Sequence, residues 1–306
     1  DIGGPSLVRA AAKNFRDVAV VVSSVDYQNL IDELERNQGA LSRLTRTQLA
    51  ISAFQRTSAY DTSVFNYLNS SFGPELWDTA VAENEERSEI TYESIFRSDL
   101  RLCVEKKSDL RYGENPHQKA ALYLSSSTAG LANAELLAGK EMSFNNYVDA
   151  DAAWELVGDF DDPACAIIKH TNSAGTALGN SPEEAYRRAL ACDPVSAFGG
   201  VVSFNRSVDE AAARAVTEIF VEVMIAPDYD PAALDVLKAK KNLRVLRAAP
   251  RSVPERLDYR QISGGGLAQT RDTHRLSAAD LKVVTKRAPS EKEIEDLLFA
   301  WTVCKH

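Results

Sequence analysis

The stretch PACAIIKHTNSAGTALGNSPEE, residues 163–184, decides the fold class. PACAII (163–168) has the length and apolar content of a buried strand. It ends abruptly in Lys169 and His170, and a polar, glycine-containing turn follows. Ser181, Pro182, Glu183 and Glu184 then read as a capping box with proline at the first helical position, so a helix starts there. The alternation continues downstream. GGVVSFN (199–205) reads as a strand, and a capping box at 207–210 opens the helix DEAAARAVTEIF. VMIAP is a strand, PAALDVLKAKKN a helix, and LRVLRA and LKVVTK are strands. A third box at 290–293 opens a last helix. Upstream, ALYLS (121–125) reads as a strand and VDADAAWELVGDF (148–160) as a helix. Strands alternating with helices predict an α/β fold with a doubly wound sheet.

Toward the amino terminus, VAVVVS (18–23) reads as a short buried strand and DYQNLIDELERN as a helix. Residues 46–69 carry Leu49, Ile51, Phe54, Tyr60, Val64, Tyr67 and Leu68 at helical spacing. This is the pattern of the end of an α/β domain. Residues 71–108 are charged, lack long periodicity and read as a linker. The expected organisation is therefore a first domain over 1–70 and a second over 109–306.

With 306 residues, 44% hydrophobic and 26% charged, the composition is that of a globular protein with a sizeable core. No apolar run approaches the roughly 18 residues of a membrane span. The net charge of -9 argues against nucleic acid as a partner. Cys103, Cys165, Cys192 and Cys304 are widely separated and form no CxxC, which fits reduced thiols in a cytoplasm. The four histidines are scattered, so no zinc spacing exists and no metal is expected. The first residues lack an initiator Met and a signal-peptide pattern, and the last helix has no stop signal, so a processed chain or a fragment is expected.

Five polar segments are candidates for chemistry. At a strand end the pleat relaxes, so Lys169 and His170 can turn into one crevice beyond the carboxyl end of the sheet. A histidine can move a proton near neutral pH, and an adjacent ammonium disfavours the imidazolium and can stabilise an oxyanion. The other reading is a polar strand end meeting water. LRYGENPHQKAALY (110–123) is a loop dense in hydrogen-bonding groups, in which Arg111 suits a phosphate or carboxylate and Tyr112 can stack on a base. CDPVSAFGGVVSFN (192–205) sets Phe198 beside Gly199 and Gly200, either a wall for a flat heterocycle or an ordinary turn. In FNNYVDADAAWEL (144–156), Asn145 and Asn146 precede a helix and can cap it. In DIGGPSLVRAAAKN (1–14), a Gly-Gly turn leads into a helix whose start can hold phosphate, with Lys13 near its end. SGGGLAQ (263–269) lacks the Gly-Lys-Ser/Thr of a phosphate loop and reads as a tight turn.

In this order, RYGENPHQ, FNNYVDADAAW, IIKHTNSAGTA, DPVSAFGGVVSFN and the VVTKRAPSEKE–FAWTVCKH tail resemble the bifunctional purine biosynthesis family that joins AICAR transformylase to IMP cyclohydrolase. DIGGPSLVRAAAKN and the helices after it look like the end of the cyclohydrolase half. The resemblance implies the end of a methylglyoxal-synthase-like three-layer domain, then a cytidine-deaminase-like α/β transformylase subdomain without zinc. It implies formyl transfer from 10-formyltetrahydrofolate to the 5-amino group of AICAR, and closure of formyl-AICAR to IMP by the partner domain. The family is homodimeric and cytoplasmic. By matching motifs, Lys169 and His170 fall on the catalytic pair, Arg111 and Tyr112 on nucleotide-binding positions, and Asn146 near the substrate. Phe198 and Gly199 match residues lining the nucleotide and folate sites. Glu222 stands where relatives often have Asp, and Asp1 and Lys13 match the cyclohydrolase site. In relatives, further sequence lies before Asp1 and after His306, which again leads one to expect a fragment. A non-catalytic nucleotide-binding or dimerisation module is the alternative.

Overall fold

The computed structural model describes residues 3–82, 96, 100, 102, 104–125, 129–249 and 257–306. The chain divides into two compact units, Asp1–Ser94 and Ile95–His306.

In the first unit, α1 (Gly3–Lys13) is followed by α2 (Tyr27–Arg36) and the long α3 (Arg43–Ala82). Small side chains let α1 and α3 approach: Ala12, Ala50 and Ala53 form a core closed by Val8, Phe15 and Phe54. VAVVVS, expected as a strand, pairs with no strand among the described residues. Its alternate residues Val20 and Val22 pack on the helices instead. A β-branched run favours extended backbone, but a strand needs a neighbour to complete its ladder. The expected Gly-Gly turn at the chain start is also absent, because Gly3 and Gly4 already belong to α1. The helical spacing over 46–69 lies within α3, which continues to Ala82 into the segment expected as a linker.

The second unit opens with an antiparallel ribbon of β1 (Glu105–Leu110) and β2 (Ala120–Leu124). There follow β3 (Glu135–Ala138), α4 (Phe144–Gly158), β4 (Ala164–Lys169), β5 (Asn172–Leu178), α5 (Pro182–Cys192), β6 (Val201–Phe204), α6 (Glu210–Val216), β7 (Val223–Ala226), α7 (Pro231–Lys238) and β8 (Arg244–Arg247). The hairpin of β9 (Leu257–Ile262) and β10 (Gly265–Thr270) precedes α8 (Glu291–Cys304). Six strands form one sheet in the order β3-β8-β7-β6-β4-β5. The α/β class holds, but the sheet is mixed. Strands β6, β7 and β8 are parallel, while β4 runs antiparallel to both of its neighbours and β3 runs antiparallel to β8. The segment NSAGTAL, expected as a turn, is β5.

Successive strand residues alternate between two cores. Cys165, Ile167, Val202, Phe204 and Met224 face α5, α6 and α7, and Ala164, Ala166, Ile168, Val201, Val223 and Ile225 face α4. Gly175 lets β5 lie close to α5, for a Cβ there would stand 1.9 Å from the Ala189 carbonyl oxygen. Ser181 caps α5 by accepting from the Glu184 N–H, and Ser290 and Glu293 form the reciprocal box that starts α8. The box expected at 207–210 is replaced by Asp209, which accepts from the Ala212 N–H at 2.8 Å. LKVVTK forms no ladder, and in SGGGLAQ the turn is confined to 263–264, with β10 following.

Helix α8 docks near the end of α4 through Phe299, 5.4 Å from Phe160 between ring centroids. Asp159 receives Lys305 Nζ at 2.5 Å and His306 Nε2 at 2.8 Å. Burial pushes the Asp159 carboxyl up, but the hydrogen bonds and charges of His306 and Lys305 outweigh it and hold the group down to about 2 from 3.8. A depressed carboxyl stabilises the fold above its unfolded value and loses that contribution as pH falls toward the folded one, here between pH 4 and pH 2. Asp159→Asn is expected to lower stability by about 2 kcal/mol at pH 6 and by much less at pH 2, measured by urea unfolding at both values; an equal loss at both would contradict the ion cluster. Gly175→Ala is expected to destabilise by about 1–3 kcal/mol, because a helix carbonyl must move; an unchanged urea midpoint would show that β5 and α5 are not in that contact.

Candidate functional site

Strand β4 pairs with β5 so that Lys169 faces Asn172, which leaves His170 and Thr171 alone as the connection. Both have positive φ, 51° and 62°. Two left-handed residues make the hairpin turn whose twist suits the flanking strands. Four hydrogen bonds from side chains hold this turn. The Asp149 carboxylate accepts from the N–H groups of His170 (3.3 Å) and Thr171 (2.8 Å). The His170 carbonyl accepts from the Thr171 hydroxyl (2.7 Å) and the Asn172 amide (2.8 Å). The expected polar loop is thus a tight reversal, with His170 exposed at its tip and Lys169 half-buried beneath it.

Because β4 runs against β6, its carboxyl end meets the amino end of β6. There the Lys169 ammonium donates to the carbonyl oxygens of Gly199 (2.9 Å) and Phe198 (3.4 Å). Gly199 has φ of 70°, and its N–H donates to the Phe220 carbonyl at 2.7 Å. A Cβ on Gly199 would come within 3.2 Å of the Lys169 nitrogen. Phe198 remains 60% exposed and packs on Phe220 with 5.5 Å between ring centroids. A lysine carries three donors, and among the described residues these two carbonyls engage two of them.

Glu222 immediately precedes β7, where its N–H donates to the Gly200 carbonyl at 3.0 Å. Its carboxylate accepts from the Asn146 amide at 2.8 Å. Asn146 and Asn145 do not precede a helix, as expected; they lie in the first turn of α4. The cap is Ser143, whose hydroxyl accepts from the Asn146 N–H while the Asn146 side-chain oxygen accepts from the Ser143 N–H. Asn145 donates to the Glu114 carbonyl at 3.1 Å, which ties the 111–119 loop to the start of α4. That loop joins β1 to β2 and is closed by Gln118, whose carbonyl takes the Gly113 N–H and whose side chain takes the Asn115 N–H. In it the Arg111 guanidinium lies 5.4 Å from the Tyr112 ring centroid.

Four segments distant in sequence therefore meet: the Lys169–His170 tip, the Phe198–Gly199 turn, Glu222 and the start of α4. Lys169 and His170 stand at the carboxyl end of β4. Relative to β6 and β7, the cluster lies at their amino ends. The 111–119 loop, which carries Arg111 and Tyr112, touches the cluster through the Asn145–Glu114 bond. Lys13 is exposed at the carboxyl end of α1, about 15 Å from the amino end at 1.5 Å per residue, so it cannot share one phosphate with the helix start. Asp1 lies outside the described residues. Sequence reading missed Asp149 and Phe220. Asp149 had a signal, because it stands three residues after Asn146 on the same helical face. Phe220 had none, since its contacts are the Gly199 backbone bond and the Phe198 ring, both some twenty residues away.

Among the described residues, the partners of Lys169 are neutral carbonyls and the partner of Glu222 is a neutral amide. Neutral partners orient a charge without cancelling it. The cluster thus offers a fixed cation, a fixed anion, an exposed imidazole and an aromatic wall.

A sequence model of the family described as AICARFT/IMPCHase bienzyme matches residues 11–306, and so spans both compact units. A match over nearly the whole length, in a chain whose distant motifs converge on one cluster, means that this chain belongs to the AICARFT/IMPCHase bienzyme family of purine biosynthesis, which pairs a formyltransferase with a cyclohydrolase.

Proposed function

We propose that the second unit takes part in transferring a formyl group from 10-formyltetrahydrofolate to the 5-amino group of AICAR, with Lys169 and His170 at the reacting atoms. The supporting observation is the Lys169 ammonium. Its bonds to the Phe198 and Gly199 carbonyls join the hairpin tip to the exposed aromatic turn. Phe198 offers a flat face to a heterocycle, and Arg111 a guanidinium to a phosphate. Asn146 and Glu222 offer an oriented amide and carboxylate to polar ring substituents.

The chemistry needs both members of the pair. The AICAR amine is a weak nucleophile, because its lone pair delocalises into the ring and carboxamide. As its nitrogen bonds to the formyl carbon, it must lose a proton, and the departing folate nitrogen must gain one. His170 takes the first proton and returns one to the leaving nitrogen. Lys169 stabilises the tetrahedral oxyanion between these steps. On this reading the first unit is the end of a methylglyoxal-synthase-like cyclohydrolase domain, with Asp1 and Lys13 at its site. The second is a cytidine-deaminase-like transformylase subdomain, working as a homodimer in the cytoplasm.

In the full-length protein, His170→Ala is expected to reduce formyl transfer by about 100-fold or more, the range of a lost general acid-base, while AICAR affinity changes little; wild-type turnover by this variant would sink the assignment. Calorimetry of the 306-residue chain with AICAR and a folate analogue is expected to show binding of both. Binding without turnover would favour a non-catalytic nucleotide-binding module, and absence of binding would remove the second unit from substrate recognition.

A further inference from the structure

The hairpin that carries Lys169 and His170 is held in a conformation that Thr171 disfavours. His170 and Thr171 both lie in the left-handed region. That region favours Gly and tolerates Asn, Asp and His, but a β-branched residue such as Thr171 is an outlier there. The connection cannot relax by lengthening, because Lys169 and Asn172 are already paired. Besides the bonds that Thr171 and Asn172 make to the His170 carbonyl within the hairpin, a restraint comes from outside it. Asp149 presents one oxygen to each of the two consecutive amides, Oδ2 to His170 at 3.3 Å and Oδ1 to Thr171 at 2.8 Å. Its helix is rigidly seated, with Ala150, Ala153 and Trp154 buried against the sheet. One turn earlier, Asn146 of the same helix holds Glu222. The amino-terminal half of α4 thus registers the hairpin tip against the Glu222 carboxylate, which precedes β7 two strands away.

We propose that Asp149 is a positioning residue for the reaction: its carboxylate fixes the left-handed backbone of His170 and Thr171 and thereby the direction from which the imidazole meets the substrate. With its N–H held by Asp149 and its carbonyl held by Thr171 and Asn172, His170 keeps only its side-chain torsions. Fixed geometry of this kind governs rate more than binding. The proposal rests on the reading of His170 as the proton carrier.

The test uses full-length protein and three variants. Asp149→Ala is expected to speed hydrogen exchange at the His170 and Thr171 amides by at least tenfold. It should also lower kcat by about 100-fold, the cost of a misplacement near 1 Å, with KM for AICAR within about threefold. Glycine enters the left-handed region without penalty, so Thr171→Gly added to Asp149→Ala is expected to recover at least tenfold of the lost kcat. That recovery separates positioning from a chemical role of the carboxylate, which glycine cannot replace. Unchanged exchange at both amides, unchanged kcat in Asp149→Ala, or no recovery in the double variant would each overturn the proposal. His170→Ala serves as the control for the underlying reading. If it retains wild-type turnover, that reading fails, and the exchange result alone then decides whether Asp149 clamps the turn.

Discussion

Strand β4 is buried along its whole apolar length and runs against its neighbour β6, and the rest of the site follows from that reversal. In a parallel arrangement the carboxyl end of β4 would lie beside the carboxyl end of β6. Lys169 and His170 would then be a strand's length from Gly199. Reversed, the end of β4 stands beside the turn that feeds β6 and, one strand further, beside Glu222 at the start of β7. The ladder that enforces the reversal is internal. Cys165, Ile167 and Phe204 lock one face, and Ala166, Ile168 and Val201 lock the other. A register slip by one residue would exchange those faces and turn the Lys169 side chain away from Gly199.

The polar groups at this junction are arranged by neutral partners. Carbonyls hold the ammonium, an amide holds the Glu222 carboxylate, and two backbone N–H groups hold Asp149. Each bond fixes a direction while leaving a charge to act on whatever enters. Direct ion pairing would have spent the same charges on each other. The pairs of Arg187 with Glu183 and Glu218 lie on the exposed surface, and the more shielded pairing of Asp159 with Lys305 and His306 lies at the end of the chain rather than at this junction. Water screens the exposed pairs, so they contribute little.

Much of the second unit was legible because its signals are local. Proline and glutamate after Ser181 mark the start of α5, and the apolar runs of β4, β6 and β7 need no partner to be recognised. The errors came where a neighbour decided the outcome. NSAGTAL has little strand propensity, yet it becomes β5 because β4 supplies a ladder and Gly175 admits α5. VAVVVS and LKVVTK have the propensity but pair with no strand among the described residues. Asn146 was read as a cap, when in fact Ser143 caps the helix and frees the Asn146 amide for Glu222.

The sequence by itself determined the α/β class, most helix starts, and the residue types at the candidate site, for these depend on composition, periodicity and short-range hydrogen bonds. Only the tertiary structure decided that β4 is reversed, that the cluster lies at the amino ends of β6 and β7, and that Asp149 on a separate helix holds the His170 turn. The physical reason is the range of the interactions. A capping bond joins residues three apart, whereas the bonds that build this site join residues 21 to 76 positions apart. Such bonds form only after the two faces of the sheet have been buried and the strand directions chosen.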